Sequence, residues 1–195
     1  MKVGIVQYNA GNVSSLLAAL RRLGAEAELC SSAEKLAQYE RVIFPGVGEM
    51  SSAMAYLRQQ QLDTALRALQ QPVLGICLGL QIFCSHSEEG NAQGLGIFAS
   101  KVRRFQVPRK VPHVGWNSLH ELKGPLFRGL DAGADVYFVH SYRAEPGSDC
   151  SAICHYEEPF AAALQRANFF ALQFHPEKSG PVGQQILRNF MELSL

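Results

Sequence analysis

The sequence predicts an α/β fold, with a mostly parallel central sheet flanked by helices and carrying an antiparallel extension. Two observations predict it. Up to about residue 110, short apolar runs alternate with helix-period segments across short connections, the pattern of a parallel sheet. Beyond that point strand-like runs follow one another, separated by turn signals, which points to antiparallel pairing.

Val3-Gly4-Ile5-Val6 is an apolar run of buried-strand type. Val13, Leu16, Leu17, Leu20 and Leu23 then recur at helical spacing, with Asn12 as a candidate N-cap and Gly24 as a stop. Residues 25–30 alternate like a strand. Arg41-Val42-Ile43-Phe44 is another strand, halted by Pro45-Gly46-Val47-Gly48. Residues 51–70 are polar and rich in Ala, Leu and Gln, suiting one or two surface helices. Pro72-Val73-Leu74-Gly75-Ile76 is an apolar strand running straight into Cys77, and a helix is expected over 78–86. Strands are expected at 95–105, 136–142, 150–156, 161–165 and 169–174, with Arg166-Ala167-Asn168 as the turn joining the last two. Pro181 opens a final helix in which Val182, Ile186 and Phe190 share a face. We see no repeat, linker or low-complexity segment, so one domain over 1–195 is expected.

The 195 residues are 47% hydrophobic and 18% charged, with a net charge of +1. That balance gives no electrostatic footprint for a nucleic acid or an anionic membrane. No apolar run reaches the ~18 residues of a membrane span, and the N-terminus lacks a signal peptide's apolar core. The five cysteines show no disulfide-framework spacing, so reduced thiols in the cytoplasm are expected.

Gly75-Ile76-Cys77-Leu78-Gly79 follows an apolar strand and precedes a helix. Small residues on both flanks allow a sharp strand-to-helix turn that thrusts the central side chain out over the sheet edge. The helix N-terminus behind it favours negative charge and offers N–H groups to an oxyanion. On its own, Cys77 also reads as a buried small residue. Phe174-His175-Pro176-Glu177 supplies what a thiol nucleophile lacks: an imidazole to take its proton, and a carboxylate to orient that imidazole. In a continuous strand, His175 and Glu177 at i and i+2 would share a face.

Pro45-Gly46-Val47-Gly48, the elbow from Gly75 to Gln81 and Phe174-His175-Pro176-Glu177 together resemble the class I glutamine amidotransferases, across essentially the whole chain. Within that family, Tyr8-Asn9-Ala10-Gly11-Asn12, Val111-Pro112-His113-Val114-Gly115-Trp116-Asn117 and Tyr137-Phe138-Val139-His140-Ser141-Tyr142 are most similar to the glutaminase subunits of imidazole glycerol phosphate synthase. Gln7 departs from the acidic residue many relatives carry there.

The resemblance implies a Cys77 nucleophile, a His175 acid/base and a Glu177 orienter, with oxyanion donors from Leu78 and, once its peptide turns, from Val47. It implies glutamine contacts at Gly48, Gln81, Glu89, Ser141 and Tyr142, and no cofactor or metal. It further implies a heterodimer with the (β/α)₈-barrel cyclase subunit, docked around Asn12, Trp116, Tyr137 and Lys178. Ammonia from glutamine would then feed formation of imidazole glycerol phosphate and AICAR in histidine biosynthesis. Alternatives are the glutaminase subunit of pyridoxal phosphate synthase or another class I amidotransferase, a peptidase or hydrolase of the same broad fold, and a scaffold without catalysis. The Val-Pro-His-x-Gly-Trp-Asn stretch, the Glu partner of His175 and the intact Cys77-His175-Glu177 set count against these in turn.

Other residues carry bland readings. Cys150 and Cys154 on a strand lie ~13 Å apart, too far for one zinc ion shared with His155, so core packing is expected. Cys84 is expected in the core, and His86 and His120 at the surface. Arg103-Arg104 and Arg109-Lys110 read as a solvated face, and His140 as a neighbour of the active site.

Overall fold

The computed structural model describes residues 1–8 and 13–194. Its first half runs β1 (Lys2–Val6), α1 (Ser14–Arg22), β2 (Glu26–Cys30), α2 (Ala33–Leu36), β3 (Arg41–Phe44), α3 (Met50–Gln59), α4 (Leu62–Ala68), β4 (Val73–Ile76) and α5 (Leu78–Phe83). The second half adds β5 (His86–Ser87), β6 (Ala92–Gln93), β7 (Lys101–Arg104), β8 (His113–Ser118), β9 (Asp135–His140), β10 (Tyr142–Ala144), β11 (Cys150–Tyr156), β12 (Glu158–Arg166), β13 (Phe169–Leu172) and α6 (Gly180–Met191).

The main sheet is ordered β2-β1-β3-β4-β13-β12-β10-β7-β5-β6, with β11 also paired to β12. From β2 to β13 every pairing is parallel; β12 and β10 then continue the sheet antiparallel. The α/β fold with an antiparallel extension is therefore as expected. Successive residues of the central strands alternate between two apolar clusters, as a sheet covered on both faces requires. Ile43, Phe170 and Leu172 pack with Leu20 of α1 and Phe190 of α6. Val42, Phe44 and Phe169 pack with Leu57 of α3, Leu66 of α4 and Phe83 of α5.

Several boundaries differ from expectation, each for a local reason. The helix after Cys77 stops at Phe83 because Cys84 turns extended (φ −69, ψ 171), and His86 enters a short strand. Of the 95–105 segment only Lys101–Arg104 is strand. Leu95 and Phe98 instead hang a loop on the C-terminal end of α5, donating their N–H groups to Ile82 and Phe83 carbonyls. The 136–142 segment breaks at Ser141: β9 leaves the main sheet to pair with β8 in a separate two-stranded ribbon, and β10 rejoins it. The turn before β13 holds, with Ala167 at φ 50 between paired Arg166 and Phe169. Helix α1 places Val13 at its N-cap, and Asn12 lies outside the described residues. Cys84 and Cys154 are buried as expected, whereas Cys150, also expected in the core, is only half-buried. No helix among the described residues is long and apolar enough to cross a membrane.

Candidate active site

Three adjacent parallel strands, β3, β4 and β13, end at the same level and deliver the candidate residues together. Phe44 lies opposite Gly75, and Ile76 opposite Leu172. Pro45–Gly48, Cys77 and the 173–177 segment therefore leave the sheet side by side, where α/β sheets characteristically bind ligands. Cys77 sits at φ 52, ψ −104, a strained conformation for a residue with a Cβ. Its flanking glycines let helix α5 lie directly on the strand. A Cβ on Gly75 would come within 2.7 Å of the Gly79 carbonyl carbon, and one on Gly79 within 2.5 Å of the Phe44 oxygen. The elbow is real.

His175 and Glu177 meet by a different route from the one expected. Strand β13 ends at Leu172, and Pro176 starts a single 3₁₀ turn over Pro176–Lys178 that swings Glu177 back beneath the ring. The His175 Nδ1–H donates to Glu177 Oε1 at 2.8 Å. The expectation of a continuous strand with both side chains on one face is thus corrected: the turn, not the pleat, makes the pair. The segment is tied down by the His175 N–H, which donates to the Tyr137 carbonyl at 2.9 Å, and by Ser179 Oγ, which donates to the His175 carbonyl at 2.6 Å. His175 is buried, and its Nε2 has no hydrogen-bond partner among the described residues. Burial alone would push the imidazole down in pKa, but the neighbouring Cys77 and Glu177 outweigh it and raise it to about 10. A cysteine, a histidine whose protonated form its neighbours favour once it takes a proton, and a carboxylate therefore stand in sequence, as acyl transfer requires.

Leu78 opens α5, so its N–H has no helical acceptor and lies directly behind the nucleophile. The Val47 N–H is engaged elsewhere: it donates to the Tyr8 hydroxyl at 3.0 Å, and that hydroxyl donates to the Val47 carbonyl at 2.6 Å. Burial, first among its causes, raises the Tyr8 phenol to about 12, so it stays protonated. Gly46 admits no side chain, because a Cβ there would overlap the Ile76 carbonyl and the Leu78 N–H.

An open cleft of about 340 Å³ faces Cys77 and His175. Gly46, Val47, Gly48, Gln81, Glu89, Ser141 and Tyr142 all line it, so every expected glutamine contact is brought together. One Glu89 oxygen accepts the Met50 N–H at 2.9 Å at the start of α3, which fixes the carboxylate in the wall. Burial raises its pKa, partly offset by that bond. Gln81 Nε2 donates to the Tyr142 carbonyl at 3.1 Å.

His140 does neighbour the site, and it belongs to a chain the sequence did not reveal. Its Nδ1–H donates to the Tyr142 carbonyl at 2.8 Å, its Nε2 accepts from His113 Nδ1 at 3.1 Å, and His113 Nε2 faces Asn117 Nδ2 at 3.4 Å. Burial holds both imidazoles neutral, His140 at about 3 and His113 at about 4. Gln173 was also missed. It is fully buried, and its Nε2 lies 3.7 Å from Cys77 Sγ. A glutamine inside the apolar 169–174 run was the available signal.

Outside the cleft, the β8–β9 ribbon turns apolar side chains to solvent. Trp116 is 58% exposed and Val114 55%, while Val139 at 37% and Val47 at 43% carry apolar surface onto the rim of the cleft itself. Trp116 packs edge-on against Tyr137, and Lys178 is exposed. Trp116 is therefore no core tryptophan. One member of each basic pair read as surface is ion-paired, Arg103 to Glu88 and Glu145, and Arg109 to Glu157.

Comparison with known families decides the assignment: the model for glutamine amidotransferase class-I matches residues 5–193. The chain belongs to the class I glutamine amidotransferases. Among curated amidotransferase relatives, imidazole glycerol phosphate synthase subunit HisH of Bacteroides fragilis is 50% identical, over 99% of this chain and 100% of its own length. The subunit of the same name from Bacteroides thetaiotaomicron is 48% identical over the same shares. Solved structures agree on the amidotransferase fold. One glutamine amidotransferase superposes with a TM-score of 0.77 at 21% identity, covering 97% of each chain. PurLQS from Thermotoga maritima gives 0.73 at 18% identity, again covering 97% of each.

Proposed function

We propose that this amidotransferase is the glutaminase subunit of an imidazole glycerol phosphate synthase, acting in the cytoplasm as a heterodimer with a (β/α)₈-barrel cyclase. The observation that carries the chemistry is the Cys77–His175–Glu177 constellation at the foot of the cleft. The Cys77 thiol gives its proton to His175, and the sulfur attacks the side-chain carbonyl carbon of glutamine. The resulting oxyanion is met by the Leu78 N–H and, after its peptide turns, by the Val47 N–H. Collapse of this intermediate breaks the C–N bond; His175 protonates the departing nitrogen, which leaves as ammonia. Water, deprotonated by His175, then cleaves the γ-glutamyl thioester to glutamate and restores the thiol.

Glutamine is held at its ends. Glu89 suits the α-ammonium, and N–H groups around Ser141 and Tyr142 suit the α-carboxylate, with Gly48 and Gln81 closing the walls. The partner docks on the exposed apolar ribbon, with Trp116 and Tyr137 as aromatic anchors and Lys178 at the rim; Asn12, also expected to contact the partner, lies outside the described residues. Because the Tyr137 carbonyl accepts the His175 N–H, the docking strand and the catalytic segment are one hydrogen-bonded unit.

Co-purification with a barrel cyclase, followed by glutaminase assays with and without its nucleotide substrate, tests the reading. A stable complex whose glutamine turnover rises well over tenfold with the nucleotide supports it. No complex, or full turnover by the chain alone, contradicts it.

A further inference from the structure

We propose that Gln173 is a catalytic residue: its side-chain N–H donates to the Cys77 sulfur and stabilises the thiolate that attacks glutamine. The inference rests on the reading of Cys77 as nucleophile and assigns the sulfur a fixed donor in addition to its proton exchange with His175.

The sheet register puts the two residues together. Ile76 and Leu172 are directly paired across β4 and β13, and the Cys77 N–H donates to the Leu172 carbonyl at 2.7 Å. Cys77 and Gln173 are the next residues along their strands, so the elbow that exposes the thiol also sets the amide beside it. Gln173 is fully buried between Leu172 and Phe174, where an apolar residue would pack without penalty. A buried primary amide is costly unless its donors and acceptor are used.

Which end of the amide faces sulfur follows from its neighbours. The Tyr142 carbonyl can only accept, so the group of Gln81 that meets it at 3.1 Å is the NH₂. That same NH₂ lies 3.2 Å from Gln173, so it donates there too, and the Gln173 atom it meets is the oxygen. The remaining end of Gln173, 3.7 Å from Cys77 Sγ, is therefore its NH₂. The chain Tyr142–Gln81–Gln173–Cys77 has one self-consistent polarity, and it ends on a donor aimed at sulfur.

A donor favours the charged form of the group it meets. In the thiol form the S–H faces the Val139 carbonyl at 3.9 Å. When that proton passes to His175 Nε2, the thiolate keeps the Gln173 N–H as a hydrogen bond; Gln173 itself exchanges no proton. The other titratable groups around the sulfur are His175 and Glu177 after β13, Tyr8 after β1, His140 on β9 and Glu89 across the cleft. Only His175 among them supplies a cation, and Gln173 adds a donor independent of pH.

The test is the pH profile of Cys77 alkylation by iodoacetamide, read by peptide mass spectrometry in the whole chain, parent against Gln173→Met and Gln173→Asn. Methionine keeps the volume without the donor, and asparagine withdraws the donor while keeping an amide. The expected result in each folded variant is a profile midpoint raised by about one unit, an about tenfold slower alkylation at neutral pH, and an unchanged rate at the alkaline plateau. A purely structural role would lower the melting temperature and leave the midpoint in place. A folded variant of either kind whose profile superimposes on the parent overturns the proposal. Loss of glutaminase on parent alkylation reports separately on Cys77 as the nucleophile.

Discussion

The Val47 N–H donates to the Tyr8 hydroxyl at 3.0 Å, and the same hydroxyl donates back to the Val47 carbonyl at 2.6 Å. One phenol therefore holds both polar groups of the residue expected to complete the oxyanion hole. Turning the Gly46–Val47 peptide toward Cys77 has to break the first of these bonds. A resting chain short of one oxyanion donor is expected to hydrolyse glutamine poorly until the peptide turns. Partner and nucleotide would act by binding the turned form better than the resting one.

Tyr8→Phe removes the hydroxyl and keeps the ring stacked on Phe44, at 5.0 Å between centroids. The free chain should then turn over glutamine several-fold faster, bounded by the ~10²–10³ that one oxyanion donor is worth. Steady-state kinetics on the uncomplexed variant reads this directly. An unchanged or lower kcat would mean that the Tyr8–Val47 bond is not what restrains the site.

His175→Ala should cost more glutaminase activity than Glu177→Gln. Removing the imidazole deletes the proton carrier, whereas the amide at 177 keeps a hydrogen-bonding group 2.8 Å from Nδ1 and loses only its charge. Losses of about 10⁴-fold and about 10²-fold are expected on kcat. Equal losses would make Glu177 more than an orienter.

Trp116→Ala should weaken cyclase binding by at least about tenfold while leaving the melting temperature of the free chain nearly unchanged. The side chain is 58% exposed, so the free fold loses little packing, mainly its edge contact with Tyr137. Titration calorimetry on the two purified subunits decides it; wild-type affinity in the variant would move the docking surface elsewhere.

This surface also shows where the sequence was legible and where it was not. Strands β1, β3 and β4 and the β12–β13 turn could be read because burial on both faces leaves continuous apolar runs. The β8 strand escaped because its alternation is inverted: His113 faces inward while Val114 and Trp116 face solvent. Folding alone would set the opposite pattern, and the proposed docking of a partner would account for the inversion. Cys77, His175 and Glu177 were legible because motif spacing records chemistry. Tyr8 and Gln173 were not, since their roles depend on strand neighbours brought together only by the β1-β3-β4-β13 order.

The His113–His140 pair predicts a pH dependence of stability. Both imidazoles are neutral in the fold, with His113 lowered to about 4 and His140 to about 3 mainly by burial, against an ordinary value near 6.5. Below that ordinary value the unfolded chain binds protons that the folded chain refuses. Their contribution is therefore fully present above pH ~6.5 and is lost progressively as pH falls toward ~3–4. Urea midpoints should decline over that window, and less steeply in a folded His140→Gln variant. Equal slopes would show that the pair does not set the acid limit.

The most direct test of the account is Cys77→Ala in the complex with the cyclase, assayed once with glutamine and once with ammonium salt. The account predicts that glutamine-dependent synthesis disappears while ammonia-dependent synthesis proceeds at the parent rate, because Cys77 acts only in releasing ammonia. Glutamine-dependent synthesis persisting above trace levels would contradict Cys77 as the nucleophile, and with it the central claim.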